Sequence, residues 1–403
     1  MNQTTPKRPL CAAPFGSMSI SASGQVRPCC LYEGDLGTLR DGDMQSHWNG
    51  KPFAALRTAM ERGEKVEACW KCWSAEDAGL NSLRMDFNRH FADILEDGQR
   101  PENPVHLDLR YSNLCNFRCR SCHHGASSRW FSDAKALGIN LGSKPLLSAF
   151  SSAKDGLEQF QKIGSEVRTI YFAGGEPLLE RQNADMLQWL IDEGRTNINL
   201  AYNSNLSVLE VEKTPLLPLW NQFRNVSIEA SIDAAYAAGA LVRSGFDWAQ
   251  FVANIAQLRA ACPHVVLTAG VTVSALNLAR LAELFVALER DCAITHDKVK
   301  FHALQLPAYY DVTILPADLR EKAAVDLAAL GREHAARHTG SVMPARFRKL
   351  IARLEPDSIG YQPAHIKYLR SEFRQMTKKL DKLRSEDTAK TLPELAGLLT
   401  AAD

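Results

Sequence analysis

Short apolar runs alternate with longer amphipathic stretches along the middle of the chain. The runs predict strands at 105–112, 167–173, 198–205, 226–233, 265–274 and 298–305. Stretches between them, such as 178–194 and 247–261, have apolar residues at helical spacing. Strands separated by helices predict right-handed βαβ units and a parallel sheet. We therefore expect an α/β fold, a partial (β/α)6 barrel, with its site at the C-terminal ends of the strands.

The two ends of the chain have other patterns. Near the N-terminus, residues 19–30 predict a hairpin that turns at Ser23-Gly24, and residues 53–64 predict a helix. The C-terminal part of the chain is charged and helix-compatible. Acidic residues interleave with its Lys and Arg residues, and this mixture favours a solvated helix face over a basic binding surface. The acidic residues are Glu372, Asp381 and Glu386. The predicted domains are 1–100, a small cysteine-bearing domain, 101–310, the barrel, and 311–403, a helical C-terminal region.

Composition narrows the classes of function. The chain has 403 residues, of which 45% are hydrophobic and 23% are charged, as in an ordinary globular protein. Its net charge of +1 gives no large positive field for a nucleic acid or a membrane surface. The sequence has no apolar run near the roughly 20 residues of a spanning helix, and no signal peptide at its start. We expect a cytoplasmic protein without nucleic-acid or membrane partners.

The ten cysteines are clustered rather than spread along the chain. Because the cytosol keeps thiols reduced, clustered cysteines there indicate metal binding rather than disulfides. Five lie between Cys11 and Cys72, and three lie between Cys115 and Cys122. The other two, Cys262 and Cys292, are expected to pack as small buried hydrophobic residues.

Cys115, Cys119 and Cys122 follow the first predicted strand of the barrel. Thiolates are soft ligands that suit iron–sulfur clusters or zinc. A zinc site would need a fourth ligand, for which His123 and His124 are candidates, so zinc remains an alternative. A cubane cluster held by three cysteines would leave one iron open for a substrate.

This C-x3-C-x2-C spacing after a first strand resembles that of the radical S-adenosylmethionine (radical SAM) superfamily. The resemblance implies a 4Fe-4S cluster whose open iron chelates the amino and carboxylate groups of SAM. An electron from the cluster then cleaves SAM, and the resulting 5′-deoxyadenosyl radical removes a hydrogen atom from the substrate. Ser121 departs from the family pattern, which usually has an aromatic residue before the third cysteine.

The same resemblance implies residues that bind SAM at the ends of the next strands. Gly174 and Gly175 in "AGGEP" allow close approach of the backbone, with Glu176 near the SAM amino group. Asn205 and Ser231 are expected to contact the methionyl and ribose groups, and Arg243 to pair with the carboxylate. The alternative is that Asn205 only caps a strand and that Arg243 makes a surface ion pair.

The N-terminal cysteines fit two kinds of site by spacing alone, a zinc ribbon or a four-thiolate iron–sulfur site. The order of cysteine, hairpin, tryptophan helix and C-x2-C resembles the twitch/SPASM auxiliary-cluster module. The resemblance implies a second 4Fe-4S cluster, used for electron transfer or only as a structural staple. Adjacent residues on an extended strand point in opposite directions, so Cys30 is a spare thiol or replaces Cys29. The implied ligands are Cys11, Cys29, Cys69 and Cys72.

The expected reaction is a net-oxidative modification, either dehydrogenation or bond formation, by an oxidoreductase or maturase. The favoured substrate is a peptide or peptide-like natural product, and the alternative is a small molecule, such as a sugar or aminocyclitol, for a dehydrogenase or epimerase. The implied electron donor is a flavodoxin or ferredoxin. An alternative of another class is a non-catalytic iron–sulfur or zinc scaffold.

Overall fold

The structure is a computed structural model of the chain. It describes residues 10–77, 81–96, 100–142, 144–304, 306–352, 354 and 363–400. The chain forms two compact units. The first contains the residues up to 114, with 146–203 and 210–227, and the second contains 115–145, 204–209 and the residues from 228 onward.

The strands are short, as is usual for βαβ units. In chain order they are β1 Ser17–Ile20, β2 Val26–Arg27, β3 His106–Leu109, β4 Thr169–Phe172, β5 Asn199–Ser204, β6 Glu210–Val211, β7 Thr214–Pro215, β8 Asn225–Ser231, β9 Val266–Val273 and β10 Val299–Ala303.

The helices range from single turns to two long helices near the C-terminus. They are α1 Ala13–Gly16, α2 Met44–Trp48, α3 Lys51–Glu61, α4 Trp70–Asp77, α5 Leu83–His90, α6 Ala92–Glu96, α7 Phe131–Ala136, α8 Ala153–Ile163, α9 Arg181–Asp192, α10 Leu216–Trp220, α11 Tyr236–Val242, α12 Trp248–Ala261, α13 Leu281–Cys292, α14 Ala317–Arg337, α15 Met343–Ala352, α16 Pro363–Arg384, α17 Thr388–Thr391 and α18 Ala396–Thr400.

In the first unit, five strands lie side by side in the order β5-β4-β3-β1-β2. β3, β4 and β5 are parallel, as the alternation of strands and helices predicts. Every second side chain of β4 and β5 is buried on one face, where the rings of Phe172 and Tyr202 stack with centroids 4.9 Å apart. This apolar face anchors the strands whose ends carry the predicted SAM contacts of this unit.

The N-terminal hairpin of β1 and β2 belongs to this same sheet. β1 runs parallel to β3, with Ser17 opposite His106 and Ile20 opposite Leu109. Ser19 Oγ also donates a hydrogen bond of 2.9 Å to Asp108 Oδ2. The cysteine-bearing N-terminal segment is therefore joined to the first barrel strand by a ladder of backbone hydrogen bonds. Nothing in the residue pattern indicated this pairing.

In the second unit, β8, β9 and β10 are neighbours, with β9 and β10 parallel. Because side chains alternate across a strand, the three strands have two unlike faces. One face is apolar and packs under helices, as where Phe285 of α13 meets Phe301 with ring centroids 5.6 Å apart. The other face is polar, and its residues include Glu229, Ser231, Lys300 and His302.

Helix α16 has the solvated face that the sequence predicted, on which Lys367, Lys378, Lys379 and Lys382 are exposed. It buries Leu369, Phe373 and Leu380 within the second unit. Asp381 at its end, and Glu386 just beyond it, bind the fully buried Arg120, so these two acidic residues are not part of the solvated face. Their counter-charge lies 261 residues away from Asp381 in the chain, where a local charge pattern cannot reveal it.

The six predicted strands of the barrel are confirmed, with small differences at their ends. Residue 305, the last of the predicted strands, lies outside the described residues. The α/β class with parallel strands is therefore confirmed, while closure into a partial barrel and the domain boundaries at 100 and 310 stay predictions. No helix in the part of the chain that the structure describes is long and apolar enough to cross a membrane.

Candidate metal centres

Four of the five N-terminal cysteines surround one cavity in the first unit. The wall of this cavity includes Cys11, Cys29, Cys69 and Cys72. Most of the remaining wall is apolar, formed by Ala13, Leu31, Tyr32, Met60, Trp73, Leu83 and Phe87. These four are the residues that the sequence indicated as ligands of one cluster.

Helix α5 fixes the segment that carries Cys11. Asn88 accepts a hydrogen bond of 2.8 Å from the backbone N–H of Ala12, and its amide donates one of 2.9 Å to the Leu10 carbonyl. Arg84 donates a further bond of 2.8 Å to the same carbonyl. Both sides of Cys11 are therefore tied to one helix, although more than 70 residues separate them in the chain.

The C-x2-C pair lies on one helical turn. Cys69 ends a 3-10 turn and Cys72 lies in α4, so the two side chains, three residues apart, share a helix face. The segment after Cys29 packs against this turn, because Glu33 N donates to Ala68 O at 3.0 Å. The Glu33 carboxylate also pairs with Lys71 at 2.8 Å.

Cys30 is not part of the cavity wall. Burial raises the pKa of its thiol, the Asp108 carboxylate raises it further, and the Arg110 guanidinium lowers it. The Cys30 side chain therefore lies near β3, although Cys29 and Cys30 lie in a bend and a turn after β2 and not on the extended strand that the sequence predicted. This geometry favours Cys29 over Cys30 as a ligand.

The donor set around the cavity fits a four-thiolate cluster. Burial raises the pKa of Cys11 to about 12 and that of Cys69 to about 11, so a bound metal would have to displace their protons. Burial also raises the pKa of Cys72, and the backbone N–H groups of Arg84 and Leu83 lower it in part. Backbone donors aimed at a sulfur stabilise its thiolate.

Arg84 brings a positive charge to the cavity wall. Its guanidinium pairs with Glu76, with Nε 2.9 Å from Oε1, and stacks over the Trp73 ring at 5.0 Å. A cluster with four thiolates is anionic, so a guanidinium in its wall stabilises the more negative, reduced form.

In the second unit, Cys115, Cys119 and Cys122 lie on one loop. Burial raises the pKa of Cys122 to about 12, and the charges of Cys119 and Cys115 contribute to this shift, so the three thiols lie near each other. Phe117 N donates to Cys115 Sγ at 3.4 Å, and Cys122 N donates to Cys119 O at 3.0 Å. Three thiols folded together on eight residues fit three corners of one cluster.

Neighbouring segments hold this loop at both its backbone and its side chains. Arg118 N donates a hydrogen bond of 2.9 Å to Ser244 O, and Arg120 N donates one of 2.8 Å to Val242 O. Trp130 Nε1 donates to Cys119 O at 2.7 Å. The loop is therefore bonded to the stretch that contains the predicted SAM ligand Arg243.

The Arg120 side chain is fully buried between the second and third cysteines. Its guanidinium binds Asp381 and, at 2.6 Å, Glu386. Next to this pair, Arg384 binds Asp133 at 2.9 Å and stacks over the Trp130 ring at 4.8 Å. The C-terminal segment thus supports the cysteine loop through two buried ion pairs.

Arg243 lies beside the cysteines, as the predicted partner of a SAM carboxylate must. Its charge acts on Cys119 and Cys122 and lowers the pKa of both thiols, against the larger effect of burial. Its Nη1 also donates to Asp233 Oδ2 at 3.0 Å, and Asp233 Oδ1 accepts a bond of 2.8 Å from Thr272 N. Arg243 is thus not the surface ion pair of the alternative interpretation, since its side chain is 13% exposed.

Asn205 is bonded to the cysteine loop. Its amide donates to Asn116 Oδ1 at 3.0 Å, and its own oxygen accepts from Ser207 N at 2.9 Å. Asn205 therefore both caps the end of β5 and contacts the residue after Cys115. Ser231 ends β8 on the polar face of that strand.

The "AGGEP" stretch follows β4 in the first unit and packs against the chain just before Cys115. A Cβ atom at Gly174, whose φ is +118°, would lie 2.8 Å from Ser112 O, and one at Gly175 would collide with Leu114 O. Glu176 N donates to Leu114 O at 2.7 Å. The Glu176 carboxylate is buried and accepts from Leu178 N at 3.1 Å.

The two histidines considered as zinc ligands follow Cys122. His123 Nδ1 accepts a hydrogen bond of 3.1 Å from Gly125 N. Within the described residues, no group of three or more His, Cys, Asp or Glu side chains is arranged around a single metal ion. Sulfurs bound to one zinc ion would lie about 3.8 Å apart, given a Zn–S bond of about 2.3 Å. The thiolates of a four-iron cluster are farther apart, so this finding does not bear on a cluster.

Residues 11–73 match the family model of SPASM, described as an iron–sulfur cluster-binding domain. This stretch is named the SPASM domain for that similarity. The match includes the four cysteines of the cavity, so the predicted N-terminal iron–sulfur domain is confirmed. No curated protein matches the chain.

Among solved structures, the chain is similar to native anSMEcpe with bound AdoMet, at 15% identity and a TM-score of 0.42, over 58% of this chain and 62% of that one. It is similar to native anSMEcpe with bound AdoMet and the Kp18Cys peptide, at 15% identity and a TM-score of 0.40, over 57% of this chain and 60% of that one. It is also similar to Streptococcus suis SuiB bound to S-adenosylmethionine, at 13% identity and 0.39, over 72% and 60%. The chain thus spans about three fifths of each relative.

The sequence analysis missed several residues that hold the loop of Cys115, Cys119 and Cys122. Asn116 and Asp233 each contact a predicted SAM ligand, and Arg120 anchors the loop to the C-terminal segment. The position of Arg120 inside the cysteine motif was a usable signal, since a charged residue there needs a partner once the loop is buried. Asp233 follows Ser231 closely in "SID", so it was within reach of the same argument.

Proposed function

We propose that this chain is a radical SAM enzyme. It cleaves SAM reductively to a 5′-deoxyadenosyl radical, which removes a hydrogen atom from the substrate. The observation that carries the proposal is the loop of Cys115, Cys119 and Cys122, with three thiols near each other and Arg243 beside them. A four-iron cluster on this loop would supply an open iron for SAM and the electron that cleaves it.

The chain's own residues bind and orient SAM. Arg243 binds the methionyl carboxylate, while Asp233 fixes the direction of the guanidinium. Asn205, held by Asn116, donates to the methionyl part of SAM, and Ser231 contacts the ribose. The backbone of Gly174 and Gly175 receives the amino group, with Glu176 in reach of it.

The SPASM domain holds an auxiliary 4Fe-4S cluster on Cys11, Cys29, Cys69 and Cys72. A cluster held by these four thiolates would have no iron open to a substrate, and it would supply electron transfer, either from the substrate radical or to the SAM cluster. Its apolar wall supports this role, because exclusion of water limits the reorganisation that accompanies electron transfer.

An electron-accepting cluster suits a net oxidation, such as dehydrogenation or bond formation, by an oxidoreductase or maturase. We infer a peptide or peptide-like substrate, which is consistent with the peptide bound in one anSMEcpe structure. A flavodoxin or ferredoxin supplies the electron. The same proposal divides the chain into an auxiliary domain at 1–100, a barrel at 101–310 and a helical region at 311–403.

The test is SAM cleavage by anaerobically reconstituted protein. With dithionite and SAM, the wild-type chain should form 5′-deoxyadenosine, and Cys115→Ala should form none above the level without protein. Formation of equal amounts by both proteins would refute the assignment of the loop. No product from a wild-type chain with a full complement of iron would favour the non-catalytic scaffold.

A further inference from the structure

Apart from the cysteine loop, the second unit contains a charged group on the polar face of β8 and β10. Glu229 lies on β8, and Lys300 and His302 lie on β10. Lys300 Nζ is 2.7 Å from Glu229 Oε2, and His302 Nε2 is 2.7 Å from Glu229 Oε1. One carboxylate therefore binds two bases, one through each of its oxygens.

Gly270 on the intervening strand β9 makes this arrangement possible. Lys300 lies opposite Gly270 in the β9–β10 ladder. A Cβ atom at Gly270 would lie 2.6 Å from Glu229 Oε1 and 2.9 Å from its Cγ. Gly270 does not have a positive φ, so space for the Glu229 side chain is the reason for glycine here. The side chain thus crosses β9 to reach β10.

The two bases remain accessible while the carboxylate is covered. The side chains of Lys300 and His302 are 53% and 50% exposed, and that of Glu229 is 11% exposed. Burial raises the pKa of Glu229, but hydrogen bonds from His302 and Lys300 lower it to about 2, so it is ionised at neutral pH. An ammonium group has three N–H donors, and Glu229 occupies one of those of Lys300.

A purely structural role does not account for the group. Ion pairs with half-exposed partners contribute little to stability. A glycine inside a strand weakens it. Gly270 and the ion pairs together therefore give the sheet little net stability, whereas they hold two accessible basic groups side by side.

We propose that Lys300 and His302 form a site for a carboxylate of the substrate. Glu229 orients these two basic side chains. A carboxylate accepts charge-assisted hydrogen bonds from the free N–H donors of Lys300 and from the His302 ring. This inference rests on the proposed function and specifies its substrate as acidic. The carboxylate is the C-terminus of a peptide or the side chain of an acidic residue.

Three small probes test the site on the full chain with its clusters reconstituted. N-Acetylglycine represents a peptide C-terminus. N-Acetylaspartic acid α-amide, which has a free side-chain carboxylate and an amidated main-chain carboxyl group, represents an acidic residue. N-Acetylglycinamide is the neutral control. Saturation-transfer NMR measures the binding of each probe. Binding of one acid alone identifies the source of the carboxylate, and binding of both identifies a site for either source.

Variants assign the binding to the site. Lys300→Met should weaken binding of the acids by at least about tenfold, the size expected for a lost charge-assisted bond. Lys300→Arg, which keeps the charge, should retain it and so excludes misfolding as the cause. Lys298→Met is the matched control, because Lys298 is exposed on the turn before β10 and should leave binding unchanged.

The inference is overturned if the neutral amide binds as well as the acids, if neither acid binds, or if Lys300→Met binds like the wild type. Formation of 5′-deoxyadenosine by the wild type is measured separately, without a probe. Its absence would refute the proposed function, whereas the preference for acids is measured independently of it.

Discussion

The two groups of cysteines are built in different ways. Those of the SPASM domain come from three segments of the chain, around Cys11, Cys29 and the Cys69–Cys72 turn, and they enclose a largely apolar cavity. Those of the second group share one loop of eight residues, from Cys115 to Cys122. The first site therefore depends on the packing of distant segments, and the second on local backbone geometry.

This difference explains what supports each site. At the first site, Arg84 and Asn88 of α5, which follows the SPASM domain in the chain, tie down the segment that carries Cys11. In the second site, all ligands already lie together, and distant residues instead fix the loop as a whole through Arg120 and Trp130. Three converging segments supply four thiolates, which can close a cluster completely, whereas one short loop supplies three and leaves a position open for the proposed SAM.

The largest expected effect comes from removing a ligand of the three-cysteine loop. Cys119→Ala should reduce formation of 5′-deoxyadenosine to the background, because the cluster that receives SAM is lost. The assay is chromatography of reaction mixtures with dithionite and SAM. Cys262→Ala is the control, since Cys262 is buried outside both groups and should retain activity. Similar losses in both variants would mean that the thiol is needed only for packing.

The next effect concerns the buried arginine between two ligands. Arg120→Met should lower the free energy of unfolding by about 3 kcal/mol, because it leaves two carboxylates without their partner. It should also lower the occupancy of the loop cluster and leave the SPASM cluster filled. Urea unfolding and Mössbauer spectroscopy measure the two effects.

A matched surface variant and a charge-retaining variant sharpen this test. Arg348 is exposed in the same unit, so Arg348→Met should change neither quantity. Arg120→Lys, which keeps the charge, should retain part of the stability and part of the occupancy of the loop cluster. Equal loss of iron from the two sites in Arg120→Met would contradict a local role for Arg120.

A smaller effect should appear in the reduction potential of the SPASM cluster. Arg84→Met removes a positive charge from the cavity wall and should lower the reduction potential. The reduced cluster loses roughly 1 kcal/mol of electrostatic stabilisation. Glu76→Gln removes the partner carboxylate and should raise the potential. Redox titration followed by electron paramagnetic resonance (EPR) measures both, and shifts of the same sign would contradict this account.

The smallest effect is expected at the spare thiol. Cys30→Ser should keep the full iron content of the SPASM domain, since Cys30 is not part of the cavity wall. Cys29→Ser should lose iron from that domain. Iron analysis of the two variants decides between the adjacent cysteines, and loss of iron in Cys30→Ser alone would reverse the assignment.

The strands and the cysteine groups could be predicted from the sequence because their signals are local. Apolar alternation indicated β3 to β5 and β8 to β10, and the spacing of Cys115, Cys119 and Cys122 is contained in eight residues. The sequence argument for Cys29 over Cys30 assumed an extended strand, whereas the structure has a bend and a turn there; the cavity wall, which includes Cys29 and not Cys30, favours Cys29.

The remaining features depend on contacts between distant residues. The ion pairs of Asp381 and Glu386 could not be predicted, because their partner, Arg120, lies in another part of the chain. The pairing of β1 with β3 joins segments about 90 residues apart. Glu229, Lys300 and His302 are unremarkable on their own strands, and only Gly270 between them makes their meeting possible.

EPR spectroscopy of each site in isolation tests the contrast between the sites most directly. One variant lacks Cys115, Cys119 and Cys122, and the other lacks Cys11, Cys29, Cys69 and Cys72, so each can hold only one reduced cluster. Addition of SAM should change the spectrum of the cluster on the three-cysteine loop and leave that of the SPASM cluster unchanged. A change at the SPASM cluster, or none at the loop, would contradict the account.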